Sequence, residues 1–424
     1  MANARAVAIK ALTAVENDGG YSNIVLDKAL RSASLSAADS VFASALFYGV
    51  LDRKYTLDFY IGKYCSRPIN KLSPFVLQAL RTAIYQLEYM DKVPSFAAIN
   101  ETVNAVKHSK DKYASGLVNA VLRSFLRDEN RTLPDGDKPS DLAIRYSCEE
   151  WLAKEYIEDY GIDEAKRILE SALETPSTYL RINTTKAPVQ EVKEALENEG
   201  AEVEKTQLKN CLRLKKGSVE QTKAYANGLF HVQDLSSQMC CEALQVENGM
   251  RVLDICAAPG GKTFTLSELM SGTGEVVSCD IHAHRVELIR KGAERLDLHN
   301  ITAAQNDATK FNASLGTFDR ILCDVPCSGT GVIRRKPDIK YKPKFDIEQL
   351  TQLQLEILET ASTYLKSGGR LVYSTCTLIK DENTAVVERF LANNSDFSLD
   401  KEPVTLMPYG ETDGFFYCSL VKRK

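Results

Sequence analysis

At 424 residues the chain is too long for one ordinary domain, and its length suggests about three. A composition of 44% hydrophobic and 26% charged residues is that of a globular protein, with no apolar run long enough to cross a bilayer. A net charge of -4 argues weakly against a nucleic-acid partner, but it is unevenly spread. Residues 1–140 carry 18 Lys+Arg against 14 Asp+Glu (+4), and the remainder 35 against 43 (-8), so the N-terminal part is the better candidate for touching phosphates.

Residues 1–15 hold Arg5 and Lys10 among alanines at helical spacing, without the separate basic and apolar regions of a signal peptide. A cytoplasmic protein is therefore expected. Apolar residues then recur at three- and four-residue spacing in Val41-Phe42-Leu46-Phe47 and in Val76-Leu77-Leu80-Ile84-Leu87. Breaks fall at Asp18-Gly19-Gly20, Arg67-Pro68 and 91–94, so residues 1–135 predict an all-helical bundle. Pro134, Gly136 and Pro139 mark a linker. Residues 141–173 return to helix, and 178–232 shift to short strands (179–182, 211–214, 228–232) around a helix at 189–199. Residues 141–235 thus read as a helical linker with a small α+β subdomain.

From residue 236 a third domain is expected, with strands and helices alternating as in a mostly parallel sheet. Its strands are read at 251–255, 275–280, 300–305, 320–324 and 370–374, and a hairpin-like strand at 414–421 closes the chain. Eleven cysteines form no C-x-x-C, and no histidine stands at zinc spacing, so no metal site is expected. Cys256, Cys279 and Cys323 fall in apolar strand-like runs, where a thiol is ordinarily a small buried hydrophobe.

The strand 251–255 runs into Cys256-Ala257-Ala258-Pro259-Gly260-Gly261-Lys262 and then a helix. Small residues at a helix N-terminus let a ligand approach the backbone. The spacing is neither G-x-G-x-x-G nor a phosphate loop, which counts against a dinucleotide oxidoreductase or an ATPase. Asp280 ends the second strand, where a carboxylate can accept ribose hydroxyls, and Asp307 follows the third. Either aspartate alone could be a cap; their successive strand ends describe a pocket for an adenosine cofactor without phosphates. The fourth strand ends in Asp324-Val325-Pro326-Cys327, and the next in Ser374-Thr375-Cys376. Strand ends of a parallel sheet converge, so two cysteines and an aspartate should face that pocket. Carbon 5 of cytosine attacks a sulfonium methyl only after a thiolate has added at carbon 6, and this inventory suits that covalent chemistry.

The stretches DICAAPGGKT, DVPCSGTG and YSTCT resemble the RsmB (Sun/Fmu) family of 16S rRNA 5-methylcytosine methyltransferases. INETVNAVK and SGLVNAVLR in the first 130 residues resemble the NusB-type RNA-binding domain fused to that family, and RYSCEEWL and VQDLSSQ also match. Where the family carries His-Pro, this chain has Cys148-Glu149. The resemblance implies a NusB-like helical bundle, a small middle subdomain and a Rossmann-like class I methyltransferase sheet. It further implies S-adenosyl-L-methionine as cofactor, held by residues 256–262, Asp280, Asp307 and Asp324, with Arg285 a weaker candidate. Cys376 matches the nucleophile, Cys327 the group assisting release, Asp324 the carboxylate on the cytosine ring and Lys262 a supporting lysine. A cysteine at Cys327 alone would suit a DNA-type enzyme, and Cys376 tips the reading to RNA.

The expected partner is 16S ribosomal RNA, naked or in a partly assembled small subunit, with no membrane and a monomer as the default. Another RNA such as tRNA is the rival substrate. An RNA-binding antitermination factor with an inactive methyltransferase half is the rival class, disfavoured by the intact cysteines. Arg334, Arg335, Lys336, Lys340, Lys342 and Lys344, with Tyr341 among them, follow the Cys327 loop and are expected to meet phosphates. Lys107, Lys110, Lys112, Arg123 and Arg127 form a second candidate RNA surface.

Overall fold

The computed structural model describes residues 3–18 and 22–424. Of the first predicted break, Asp18 ends a helix, while Gly19 and Gly20 lie outside the described residues. The chain forms two compact units, Met1–Glu174 with Lys336–Lys344, and Thr175–Arg335 with Phe345–Lys424.

The first unit is helical: α1 (Ala4–Asp18), α2 (Ser22–Ser32), α3 (Ala37–Asp52), α4 (Lys54–Tyr64), α5 (Pro74–Tyr89), α6 (Ser95–Lys107), α7 (Ser115–Arg127), α8 (Pro139–Tyr146), α9 (Glu150–Tyr160) and α10 (Ile162–Ser171). Local signals set the ends. Ser73 caps α5 by accepting from the Val76 amide, and Pro74 sits in the first turn, where its missing N–H costs nothing. Val76, Leu77, Leu80 and Ile84 of α5 are buried in one core with Leu12, Phe47, Ile61 and Phe125. Truncating one such leucine to alanine typically costs about 2–5 kcal/mol. Buried Arg81 is matched by both oxygens of Asp58 at 2.7 Å.

Helices α8 to α10 cluster with this unit. The Thr56 hydroxyl donates to the Ile144 carbonyl (2.6 Å) and the Tyr55 amide to Ser147 Oγ (2.8 Å), which ties α4 to the end of α8. Residues 336–344 form a strap threaded into the same unit. The Tyr341 hydroxyl donates to the Leu51 carbonyl and accepts from the Lys54 amide, and Trp151 Nε1 donates to the Lys342 carbonyl at 2.9 Å.

The second unit begins with β1 (Thr178–Ile182), α11 (Val189–Asn198), β2 (Glu202–Lys205), β3 (Cys211–Lys216), α12 (Lys223–Ala226) and β4 (Phe230–Val232). These strands form an antiparallel sheet in the order β2-β3-β1-β4 over a core of Leu180, Val192, Leu212 and Phe230. There follow α13 (Leu235–Ala243), β5 (Arg251–Asp254), α14 (Gly261–Leu269), β6 (Glu275–Asp280), α15 (Ala283–Leu296), β7 (Ile301–Gln305), β8 (Phe318–Asp324), α16 (Ile347–Thr363), β9 (Leu365–Thr375), α17 (Thr384–Asn393), β10 (Phe397–Leu399), β11 (Val404–Leu406) and β12 (Phe415–Lys422).

The large sheet runs β10-β12-β9-β8-β5-β6-β7, with β11 on β12. Strands β5 to β9 pair in parallel, and β12 lies antiparallel beside β9. The last strand forms a hairpin with β11, Leu406 facing Phe415, and lies along β9, Phe416 facing Thr375 and Val421 facing Arg370. Successive strands step away from β5 in opposite directions, and the crevice at such a switch point is where open parallel sheets bind ligands. No helix among the described residues is long and apolar enough to cross a membrane.

Candidate active site

Strands β5, β6, β8 and β9 deliver their last residues to one edge of the sheet. Buried Asp254 ends β5 and accepts from Thr263 Oγ1 at 2.7 Å, and Thr263 in turn accepts from Ser278 Oγ. Burial pushes the Asp254 carboxyl up to about 7, and its second oxygen has no hydrogen-bond partner among the described residues. The loop that follows turns tightly, the Gly260 amide donating to the Ala257 carbonyl at 2.8 Å. Gly260 has φ +112°, and a β-carbon there would come within 2.5 Å of the Phe264 ring, so only glycine suits the position. Helix α14 opens immediately after it.

Asp280 ends β6 and uses one oxygen to cap the His282 amide at 2.9 Å. Asp307 follows β7, and hydrogen bonds from Lys310 and Thr309 hold its carboxyl down at about 2. Beside it, buried Asn306 Nδ2 has no partner among the described residues. Asp324 ends β8 and accepts from Lys262 Nζ (2.7 Å) and Ser374 Oγ (2.9 Å). Burial alone would lower the Lys262 ammonium, but Asp324 and its hydrogen bond outweigh that and hold it above the usual lysine range. Lysine and aspartate are thus locked as an ion pair.

Cys327 and Cys376 stand half-buried on the loops after β8 and β9, with their sulfurs 3.3 Å apart. The loops touch through the backbone, the Gly331 amide donating to the Cys376 carbonyl at 3.0 Å. A side chain at Gly331 would collide with the Gly414 carbonyl, a β-carbon lying 2.1 Å from it. The hydrogen bond to Cys376 and burial together raise the Cys327 thiol well above its ordinary value. Either sulfur can be the donor in this contact.

Cys327, Cys376, Asp324 and Lys262 come together as the sequence suggested, and the Cys256–Lys262 loop, Asp280 and Asp307 border the same crevice. Asp254, Ser374 and the buried Glu382, none of them singled out from the sequence, also belong here. Asp254 had a legible signal, being an acid at the end of the first parallel strand. Of the four aspartates, Asp324 engages Lys262 and Asp307 engages Lys310, while Asp254 Oδ1 and Asn306 Nδ2 have no partner among the described residues. That donor set fits a phosphate-free nucleoside carrying positive charge and free hydroxyls, and repels a polyphosphate.

The basic run after Cys327 is a correction. Buried Arg334 pairs with Asp413 (2.6 Å) and donates to the Pro408 and Thr412 carbonyls. Arg335 is held by Asp234 at 2.9 Å and by Asp413. Lys340 is fully buried in the helical unit, its Nζ 2.7 Å from the Asp52 carbonyl, and Tyr341 beside it is half-buried with its hydroxyl tied to the Leu51 carbonyl. These side chains answer internal partners and do not form an RNA surface. Lys336, Lys342 and Lys344 are exposed, Lys344 pairing with Glu155 at 2.8 Å, and so are Lys107, Lys110, Lys112, Arg123 and Arg127.

A Rossmann-like sheet with a charged nucleoside crevice and two apposed cysteines, preceded by a helical bundle, defines a methyltransferase fused to an accessory domain. Residues 241–420 match the family described as 16S rRNA methyltransferase RsmB/F, residues 2–127 the NusB family and residues 149–220 the ferredoxin-like domain of RsmF/B-like methyltransferases. The chain is 40% identical to the probable ribosomal RNA small subunit methyltransferase B of Bacillus subtilis (strain 168), over 99% of this chain and 98% of that one. It is 33% identical to the ribosomal RNA small subunit methyltransferase B of Photorhabdus laumondii, covering 99% of each. A crystal structure of a protein designated PH0851 superposes with a TM-score of 0.83 at 25% identity, over 99% of this chain and 98% of that one. The chain belongs to the RsmB/F family of ribosomal RNA methyltransferases, with a NusB-like helical domain at its N-terminal end.

Proposed function

We propose that this protein methylates carbon 5 of a cytosine in 16S ribosomal RNA through a covalent bond between Cys376 and the base. The observation that carries the reading is the Cys327–Cys376 pair, 3.3 Å apart beside the Asp324–Lys262 ion pair. The methyl donor is S-adenosyl-L-methionine, which supplies an electrophilic methyl group on sulfur. Residues 256–262, Asp280 and Asp307 would hold it, the carboxylates meeting its hydroxyls and its charge.

Cys376 adds as thiolate to carbon 6 of a cytosine swung out of its stack. Carbon 5 gains the electron density it lacks in the free base and takes the methyl group. The Lys262–Asp324 pair, with Ser374 on Asp324, stands at the nitrogen 3 edge of the ring and passes it a proton, which neutralises the negative charge that sulfur addition pushes there. Nitrogen 3 returns its proton to that pair, the carbon 5 proton passes to water, the carbon 6–sulfur bond breaks, and Cys376 departs as thiolate. Cys327, kept protonated, assists that release. The exposed Lys107, Lys110, Lys112, Arg123 and Arg127 in the helical domain, with Lys336 and Lys342, bind the RNA backbone.

The test is transfer of labelled methyl from S-adenosylmethionine to 16S RNA, either naked or in a partly assembled subunit. Wild type should yield 5-methylcytosine; Cys376→Ala should fall by roughly 10⁴-fold or more, the scale of losing a nucleophile; and Cys327→Ala should stall as a covalent RNA adduct. Full activity in Cys376→Ala would sink the assignment and move the nucleophile to Cys327. Transfer to tRNA in preference to 16S RNA would overturn the substrate.

A further inference from the structure

Glu382 lies between the two cysteine loops, is fully buried, and is used by no step above. Its Oε1 accepts from Ser328 Oγ (2.5 Å) and Thr377 Oγ1 (3.2 Å), and its Oε2 from the Ser328 amide and Gln354 Nε2, both at 2.9 Å. Ser328 directly follows Cys327, and Thr377 directly follows Cys376. One carboxyl group therefore grips the neighbour of each reacting cysteine.

The grip is doubled and anchored. The Thr377 hydroxyl lies 2.8 Å from both Ser328 Oγ and Thr330 Oγ1, and Gln354 of α16 also donates to the Pro326 carbonyl at 3.0 Å. The carbonyl of Glu382 itself accepts from the Tyr373 hydroxyl of β9 at 2.6 Å. With four donors on two buried oxygens, neither loop can shift without leaving a polar group unsatisfied, which costs about 1–3 kcal/mol.

We propose that Glu382 is a positioning residue that sets the separation of Cys327 and Cys376. It touches neither substrate nor sulfur; it fixes the register of the two loops so that the Cys327 thiol stays on the Cys376 sulfur through addition and release. The inference rests on the reading of the two cysteines as the reacting pair.

The sulfur separation can be followed without any turnover. Diamide oxidises two adjacent thiols to a disulfide, its azo bond taking up both electrons and both protons. Closure of the Cys327–Cys376 disulfide, followed by mass spectrometry, thus reports their proximity. Glu382→Ala should close it more slowly than wild type and should lose on the order of 100-fold in kcat, the scale of an ångström-sized misplacement, with KM for RNA and methyl donor unchanged.

Glu382→Gln should restore both, because its amide oxygen still accepts from the Ser328 amide and Gln354 while its NH₂ donates to the two hydroxyls. If Glu382→Ala does not fold, the Ser328→Ala/Thr377→Val double variant removes the two hydroxyl legs alone and should slow closure likewise. Wild-type closure and kcat in the folded variants would overturn the proposal, as would a Glu382→Gln protein as impaired as Glu382→Ala. Normal closure in a wild-type enzyme that makes no 5-methylcytosine would instead defeat the functional reading and leave the clamp standing.

Discussion

Two lysines, Lys262 at the sheet edge and Lys340 in the strap, are both withdrawn from solvent, yet their surroundings push them in opposite directions. Lys262 Nζ meets a carboxylate oxygen of Asp324 at 2.7 Å, and its charge is secured. Lys340 Nζ meets a backbone carbonyl at that distance, while the Asp52 carboxylate stands 3.9 Å away. Burial then dominates: it lowers the Lys340 ammonium to about 8 and raises the Asp52 carboxyl to about 6. A buried charge is held when its counter-charge is in contact, as Lys262 is by Asp324. Without that contact it marks a cost that the fold tolerates for another reason.

The sharpest way to break this contrast is to replace each lysine by methionine. Lys262→Met should cut methyl transfer by about 100-fold or more, the usual effect of removing one charged donor from a reacting site, when measured in single turnovers. Lys340→Met should leave the rate per folded molecule near that of wild type. Equal losses in both would erase the distinction.

Stability against pH separates them next. Between about pH 8 and 10.5 the unfolded chain keeps the Lys340 proton and the folded unit releases it. Stability of the helical unit should therefore rise with pH across that window, by about 3 kcal/mol in all, and the penalty is present in full below it. Asp52 acts in the other direction at lower pH: the folded state holds the proton longer, so stability falls as pH climbs from about 4 to about 6. Trp151 is the only tryptophan and lies in this unit, so urea titrations read by its fluorescence report the right region. Lys340→Met should flatten the alkaline rise; a rise that persists would mean another group carries it.

The smallest effect concerns the exposed lysines of the strap itself. Charge reversal at Lys336 or Lys342 should weaken RNA binding modestly and reduce the salt slope by about one for each phosphate that the lysine had neutralised. An unchanged slope at both, with a reduced slope at Lys110 and Lys112, would assign RNA affinity to the helical face alone.

Much of the α/β unit was legible because its central parallel strands are buried on both faces and so read as apolar runs, as in Val252-Leu253 or Val276-Val277. Strand β2 (Glu-Val-Glu-Lys), β10 and β11 were not, since they are short and partly polar and exist through the strands they join. The convergence of Cys327 and Cys376 followed from the ends of adjacent strands. The clamp at Glu382 did not, because an acid in Lys-Asp-Glu-Asn looks like a solvated turn. The basic run misled for a related reason. Sequence shows the charges but not their partners, and Arg334 finds Asp413 79 residues away and Lys340 finds Asp52 288 away.

The strap makes the two units hard to treat as interchangeable parts. The backbone crosses between them at 174–175, 335–336 and 344–345, so no single cut parts them. A fragment starting at residue 175 would carry Ile339, Lys340 and Tyr341 without the helices that cover them, and a helical fragment ending at 174 would have an empty slot where they belong. Recombination that swapped the N-terminal module for another would have to bring a matching nine-residue insert with it. The fusion is written into the chain at two distant places, and drift at one constrains the other.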